Sequence, residues 1–244
     1  MSAVAGSECE KITIINGWGA QASLWTDFVT QLNPRYQVTI IDLPLGETDL
    51  GYEFSLIDLA ADLNRQITAK THVIGWSLGA NVAMAFANTF SDKVLSVLTI
   101  AANPKFIQGD GWDNGMPRDT FDEFYQSVLK NEFKALKTFA GLQAIGDRKE
   151  KTLLKKLRQL VAVQEQLNKQ VLAAGLNVLA SVDQRKYWLG LNCPEHHVYG
   201  ENDNLVPAAV AEFSHNSLVM SGVSHAPMLS ATAELVAIVE EFIV

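Results

Sequence analysis

Residues 71–80 read Thr-His-Val-Ile-Gly-Trp-Ser-Leu-Gly-Ala, and they leave the chain little freedom. An apolar run leads into Gly75-Trp76-Ser77-Leu78-Gly79, and a helical pattern continues to about Asn88. Strand, abrupt turn and helix must therefore follow one another without a spacer. A serine projecting from so tight a turn needs neighbours nearly free of side chain two positions away, where other backbone passes closely. Gly75 and Gly79 meet that need, which makes Ser77 a candidate nucleophile. The N–H of Leu78 opens the helix, where partial positive charge can receive a developing oxyanion. A plain glycine-rich strand–helix turn has the same letters, so the rest of the chain has to decide.

The flanking sequence predicts a layered α/β architecture. Lys11–Ile15 reads as a buried strand ending in the loop Asn16-Gly17-Trp18-Gly19. Ala20–Leu32 has helical spacing, with Trp25, Phe28, Val29 and Leu32 on one face, and Asn33-Pro34 is a turn. Tyr36–Leu43 is a second buried strand closed by Pro44, and Leu45–Glu53 is a polar loop. Ser55–Ile67 reads as a helix with Ser55 at its cap, and Lys93–Ala101 as another strand. Strands apolar on both faces, alternating with helices, call for a mainly parallel sheet covered on both sides. The rhythm breaks after Ala102. Phe121–Phe139, Lys149–Gln170 and Val171–Leu179 read as helices, and strands resume at His196–Tyr199 and Leu218–Met220 before a last helix, Thr232–Phe242. Residues 1–102 and 184–244 are thus expected to form one core, and 103–183 an inserted helical lid. An insertion leaving the carboxyl end of a strand starts near where α/β folds place their sites.

Composition narrows the possibilities. With 244 residues, 48% apolar, the chain suffices for one sizeable core. No apolar run approaches a membrane span, and Met1–Glu10 lacks the basic and apolar regions of a signal peptide. Cys9 and Cys193 form no pattern and read as free thiols in a reducing, cytoplasmic compartment. No Cys/His spacing suggests a metal, and no cofactor is expected. A net charge of -8 argues against nucleic acid as a partner. A monomer is expected.

A serine nucleophile needs a base, and the base an orienting acid, in the chain order serine, acid, histidine for a strand-borne serine of this kind. Among the five histidines, His72 lies on the strand feeding the turn, His196 and His197 open a strand at its wrong end, and His215 sits in a polar loop. His225, in Gly222-Val223-Ser224-His225-Ala226-Pro227, follows the last strand and is the best base. Glu201 and Asp203 both lie on the loop after the preceding strand. Asp203 is favoured because it is farther from the strand end, with Glu201 as the alternative; Asp183 comes too early. The N–H of Trp18 is the natural second oxyanion donor. Trp18, Trp76 and Leu78 flank the serine as candidates for an apolar acyl pocket.

The inserted segment carries its own charge. Between residues 130 and 158, nine basic residues face three acidic ones, a net +6 in a chain of -8. They include Lys134, Lys137, Arg148, Lys151, Lys155 and Arg158. Such a run is either a solvated helix face or a docking patch for an acidic partner.

Several of these pieces together resemble one family. Asn16-Gly17-Trp18-Gly19, Asp42-Leu43-Pro44, Gly75-Trp76-Ser77-Leu78-Gly79, Asp203-Asn204-Leu205-Val206-Pro207, Ser224-His225-Ala226-Pro227 and Phe139-Ala140-Gly141-Leu142-Gln143 resemble the pimeloyl-acyl-carrier-protein methyl ester esterases of biotin synthesis. The resemblance covers nearly the whole chain. It implies an α/β-hydrolase fold and an activity that frees the distal carboxylate of a pimeloyl chain borne on acyl carrier protein. It implies Ser77 as nucleophile, His225 as base, Asp203 as orienting acid, Trp18 and Leu78 as oxyanion donors, and Phe139 in the acyl channel. Lys134, Lys151 and Lys155 stand where the family's lid uses arginines to hold the carrier, and Thr138 where it has a fourth. Asn16 stands where the family usually has histidine, and Leu45 where it tends to have glycine. Two other readings compete: a carboxylesterase or C–C bond hydrolase for small free substrates, and a non-catalytic binding protein on the same scaffold.

Overall fold

The computed structural model describes residues 9–43, 53–163 and 168–243. Pro44 and Leu45, most of the expected loop Leu45–Glu53 and residues 164–167 of the expected helix Lys149–Gln170 lie outside them. The first half alternates as its pattern predicts: β1 (Glu10–Ile15), α1 (Thr26–Gln31), β2 (Tyr36–Ile41), α2 (Leu56–Gln66), β3 (Thr71–Trp76), α3 (Leu78–Thr89) and β4 (Val94–Ile100). Four helices follow before the next strand: α4 (Arg118–Lys130), α5 (Glu132–Ala144), α6 (Glu150–Val163) and α7 (Lys169–Ser181). The chain closes with β5 (Glu195–Gly200), β6 (Ser217–Met220), α8 (Pro227–Ser230) and α9 (Thr232–Ile243). The six strands form one sheet in the order β2-β1-β3-β4-β5-β6, every neighbouring pair parallel.

Helices cover both faces, which is why the central strands are apolar along their length. On one side α2 and α3 pack Leu59, Leu63, Val82 and Phe86. Ten consecutive residues of α3, Leu78 to Ala87, are buried, so this helix is a core element rather than an amphipathic cover. On the other side lie Trp25, Phe28, Leu235 and Val239. The four inserted helices join both cores: Phe121, Leu136 and Leu176 belong to the first, and Ala140, Leu153 and Leu157 to the second. These four helices therefore add to the packing on both sides of the sheet.

Local signals explain most boundaries. Ser55 caps α2 in a reciprocal box with Asp58. Three stretches differ from the expected helices, and in one of them Lys169 and Gln170, expected to end the helix from Lys149, instead open α7 behind Asn168 as its cap. Ala20–Leu32 is a 3-10 turn, Ala22–Trp25, followed by the short α1. Phe121–Phe139 is two helices, because Asn131 is extended (φ -161°, ψ 96°) and its side chain accepts the Lys134 N–H, ending one helix and capping the next. Asn131 fits the helical spacing of its neighbours, so periodicity alone runs through it.

Candidate active site

Ser77 stands between β3 and α3 with φ 54° and ψ -123°, a conformation non-glycine residues rarely adopt. The turn is held by close backbone contact. A Cβ on Gly75 would lie 2.4 Å from Ala80 Cα, and one on Gly79 2.3 Å from the carbonyl oxygens of Ile15 and Asn16. Both glycines are thus demanded by packing. The Ser77 N–H donates to Ile100 O at 2.9 Å, tying the turn to β4. Leu78 is the first residue of α3, so its N–H has no acceptor within the helix.

The loop after β1 lies against this turn: a Cβ on Gly17 would sit 3.2 Å from Ser77 Cβ. Asn16, buried, holds the loop from both sides. Its Nδ2 donates to Asp42 and its Oδ1 accepts the Trp25 indole N–H. Asparagine thereby gives the loop a donor and an acceptor at the position where resemblance leads one to expect histidine. The Trp18 indole N–H donates to Leu172 O at 2.7 Å, and its ring meets Phe139 edge-on at 5.1 Å.

The loops after β5 and β6 bring an acid and a base together. His225 Nδ1 donates to Asp203 Oδ2 at 2.7 Å, and both residues are buried. Because a carboxylate oxygen only accepts, this bond places a proton on Nδ1, so that in the neutral tautomer Nε2 carries the lone pair. Asp203 Oδ1 accepts the N–H groups of Leu205 (2.8 Å) and Val206 (3.0 Å), which locks the carboxylate in place. Glu201 points elsewhere. It is exposed, accepts from the Ser221 hydroxyl and the Gly222 N–H, and is held below the usual carboxylate range chiefly by the Gly222 N–H. Asp183 pairs with Arg185 and Lys105, and its carboxyl is depressed to about 2, mainly by the Arg185 hydrogen bond.

His225 Nε2 is buried without a hydrogen-bond partner and is not bonded to Ser77 in this conformation. Both residues line one cavity. Its other walls are apolar: Trp18, Phe139, Leu205 and a set from the insertion and its approach, among them Phe106, Met116, Phe121, Phe124, Leu142, Leu176 and Leu179. The remaining histidines lie elsewhere. His72 bonds Ser96, and His215 is exposed. His197 is fully buried, bonded to Thr99 and stacked on Trp188, and burial depresses its pKa to about 3.

The sequence model of the alpha/beta hydrolase family matches residues 14–238. The chain belongs to the alpha/beta hydrolase family. An Aeromonas hydrophila relative of this hydrolase, named pimeloyl-[acyl-carrier protein] methyl ester esterase, is 31% identical over 242 residues, covering 95% of this chain and 94% of that one. The biotin biosynthesis bifunctional protein BioHC of Cellvibrio japonicus is 33% identical over 238 residues, which is 95% of this chain and 47% of that protein. The bromoperoxidase of Bacillus anthracis shares the fold, with a TM-score of 0.82 at 20% identity, over 96% of this chain and 91% of that one.

Within the hydrolase, two residues expected in the acyl pocket are placed differently. Trp76 lines a neighbouring cavity that shares Trp18 and Phe139 with the first, and its indole N–H donates to His225 O at 2.8 Å. The Leu78 side chain is buried near Gly175 rather than in the cavity wall. The sequence offered only weak signs of the inserted wall, because which face of each helix turns inward depends on the other helices.

Lys134, Lys137, Arg148, Lys151, Lys155 and Arg158 lie on α5 and α6 and the link between them. Lys134, Lys151, Lys155 and Arg158 are exposed and make no ion pair among the described residues. Lys137 lies over the Phe133 ring at 4.2 Å, and Arg148 pairs with Glu234. Among the described residues no group of acidic, histidine or cysteine side chains could hold a metal, and no helix is long and apolar enough to cross a membrane.

Proposed function

We propose that this hydrolase is a serine esterase that removes the methyl group from pimeloyl-acyl carrier protein methyl ester in biotin synthesis. The observation that carries the hydrolytic part is the Asp203–His225 pair opening onto the cavity that Ser77 shares. The substrate follows the relative of similar length and the apolar walls. A neutral ester on a hydrocarbon chain suits such walls, and a free carboxylate in the same place would be strongly disfavoured.

In this reading His225 Nε2 takes the Ser77 proton as the oxygen attacks the ester carbonyl. The N–H groups of Leu78 and Trp18 stabilise the tetrahedral oxyanion. Imidazolium returns the proton to the departing methanol. Water then attacks the acyl-enzyme by the same route and releases the acid. Asp203 keeps the ring in the required tautomer. Trp18 and Phe139 bound the acyl chain. Residues 103–183 act as the lid, and Lys134, Lys137, Arg148, Lys151, Lys155 and Arg158 form the surface that receives the acidic carrier. Trp76 acts through His225 rather than on substrate. The reaction so written uses only protein groups and water. The cytoplasm is the fitting location, since Cys9 and Cys193 are unpaired.

The test compares pimeloyl-acyl carrier protein methyl ester with dimethyl pimelate at rising ionic strength. Efficient turnover of the carrier-bound ester, falling with salt while the free ester is unaffected, is the expected result, because screening weakens only the docking of exposed charges. Ser77→Ala should abolish both activities. Turnover of free esters alone would favour the small-substrate carboxylesterase.

A further inference from the structure

Asp147 lies in the link between α5 and α6 and is buried, yet it makes no ion pair among the described residues. Its carboxylate is filled by donors instead. Oδ2 accepts the Ser224 N–H at 2.9 Å and the Ser230 hydroxyl at 2.8 Å, and Oδ1 accepts the Lys149 N–H at 2.7 Å. The Ser224 hydroxyl lies 3.1 Å from Oδ2 and 2.7 Å from Gln143 O, so it can be shared between them. Ser224 is the residue before His225.

The same link touches both loops of the acid–base pair. The Arg148 N–H donates to Gly222 O at 2.7 Å. Asn202 Nδ2 donates to Gly146 O at 2.7 Å, and Asn204 Nδ2 to Ile145 O at 2.8 Å. The peptide that carries His225 is thus gripped at two points. The Trp76 indole holds the His225 carbonyl, and Asp147 holds the preceding N–H. An isolated buried carboxylate is costly unless fully hydrogen-bonded, and here each bond it makes fixes backbone or hydroxyl donors around the base.

The geometry points to Asp147 as a positioning residue that sets His225 from the inserted helices. It does not touch the reacting atoms. It fixes the ring's main-chain support, as Asp203 fixes the ring itself. The helical insertion and the competence of the base are then coupled, because the link cannot shift without moving the His225 loop. The inference rests on His225 acting as the base.

Steady-state kinetics on p-nitrophenyl butyrate test it, with thermal unfolding measured on each variant. Asp147→Asn keeps the volume but puts an amide among donors. It should lower kcat about tenfold with KM nearly unchanged, since a small misplacement of a base is costly. Ser224→Ala keeps the N–H and should lower kcat by a smaller factor. The double variant should be no worse than Asp147→Asn, because the two residues share one interaction. Ser221→Ala, which removes a bond from the same loop to Glu201, should leave kcat unchanged. If Asp147→Asn does not fold, Ser224→Ala decides alone. Parental kcat in folded Asp147→Asn, or in Ser224→Ala in that event, beside an inactive His225→Ala, would overturn the positioning role and leave the base assignment standing. An active His225→Ala would instead remove the base assignment, and this inference with it.

Discussion

Glu201 and Asp203 sit two residues apart on one loop, and their hydrogen bonds separate their roles. Asp203 reaches the imidazole with one oxygen and two backbone N–H groups with the other. Glu201 spends its carboxylate on Ser221 and Gly222 at the surface. Asp203→Asn should therefore cut kcat by about three orders of magnitude or more, by allowing the wrong imidazole tautomer. Glu201→Gln should change it less than twofold while lowering stability slightly. Steep loss in the glutamate variant alone would reverse the assignment. Chain order and strand ends made Ser77, Asp203 and His225 legible as candidates in the sequence, since each lies just beyond a strand of one parallel sheet. The orientation of Trp76 was not legible. It depends on a hydrogen bond to His225 O, a residue 149 positions away in the chain.

The inserted helices show where reading by element stops. Their existence follows from periodicity, but the break at Asn131 is a capping event that spacing does not register. Asn131→Ala should cost about 1 kcal/mol by freeing the first turn of α5. Urea unfolding at constant m-value would show it, and an unchanged midpoint would mean that packing alone fixes the start of α5. The loss also bears on the cavity, because α5 carries Phe139 at its wall. By contrast, the cap of α2 was signalled by Ser55 ahead of an apolar stripe, and it forms, with Asp58 completing a box. Which residues of α4 and α7 complete the cavity could not be read, because their inward faces are set by one another and by Trp18.

At the scale of the molecule, the sheet carries a histidine that must stay neutral. His197, on β5, has its pKa depressed to about 3 by burial. Between about pH 6.5 and 3 the unfolded chain binds a proton there that the folded chain does not. Stability is then full above 6.5 and falls as pH drops through this window, by up to about 1.4 kcal/mol per pH unit from this group. Urea midpoints taken from pH 7.5 to 5 should decline, and His197→Gln should flatten the decline while lowering the midpoint at pH 7.5. His72 and His196, also depressed by burial, add to the slope in the same direction. A second demand on the fold is made at Ser77, whose backbone angles belong to glycine's territory. Ser77 is held in a conformation that the residue would leave if released, at a cost of about 1–3 kcal/mol to the native state. With Ser77 as the proposed nucleophile, activity and heat resistance are opposed at a single residue. Ser77→Gly, which adopts such angles freely, should melt above both the parent and Ser77→Ala, by about 2–4 °C for each kcal/mol of strain released, and neither variant should turn over; a Ser77→Gly midpoint at or below that of Ser77→Ala would show that the turn stores no strain.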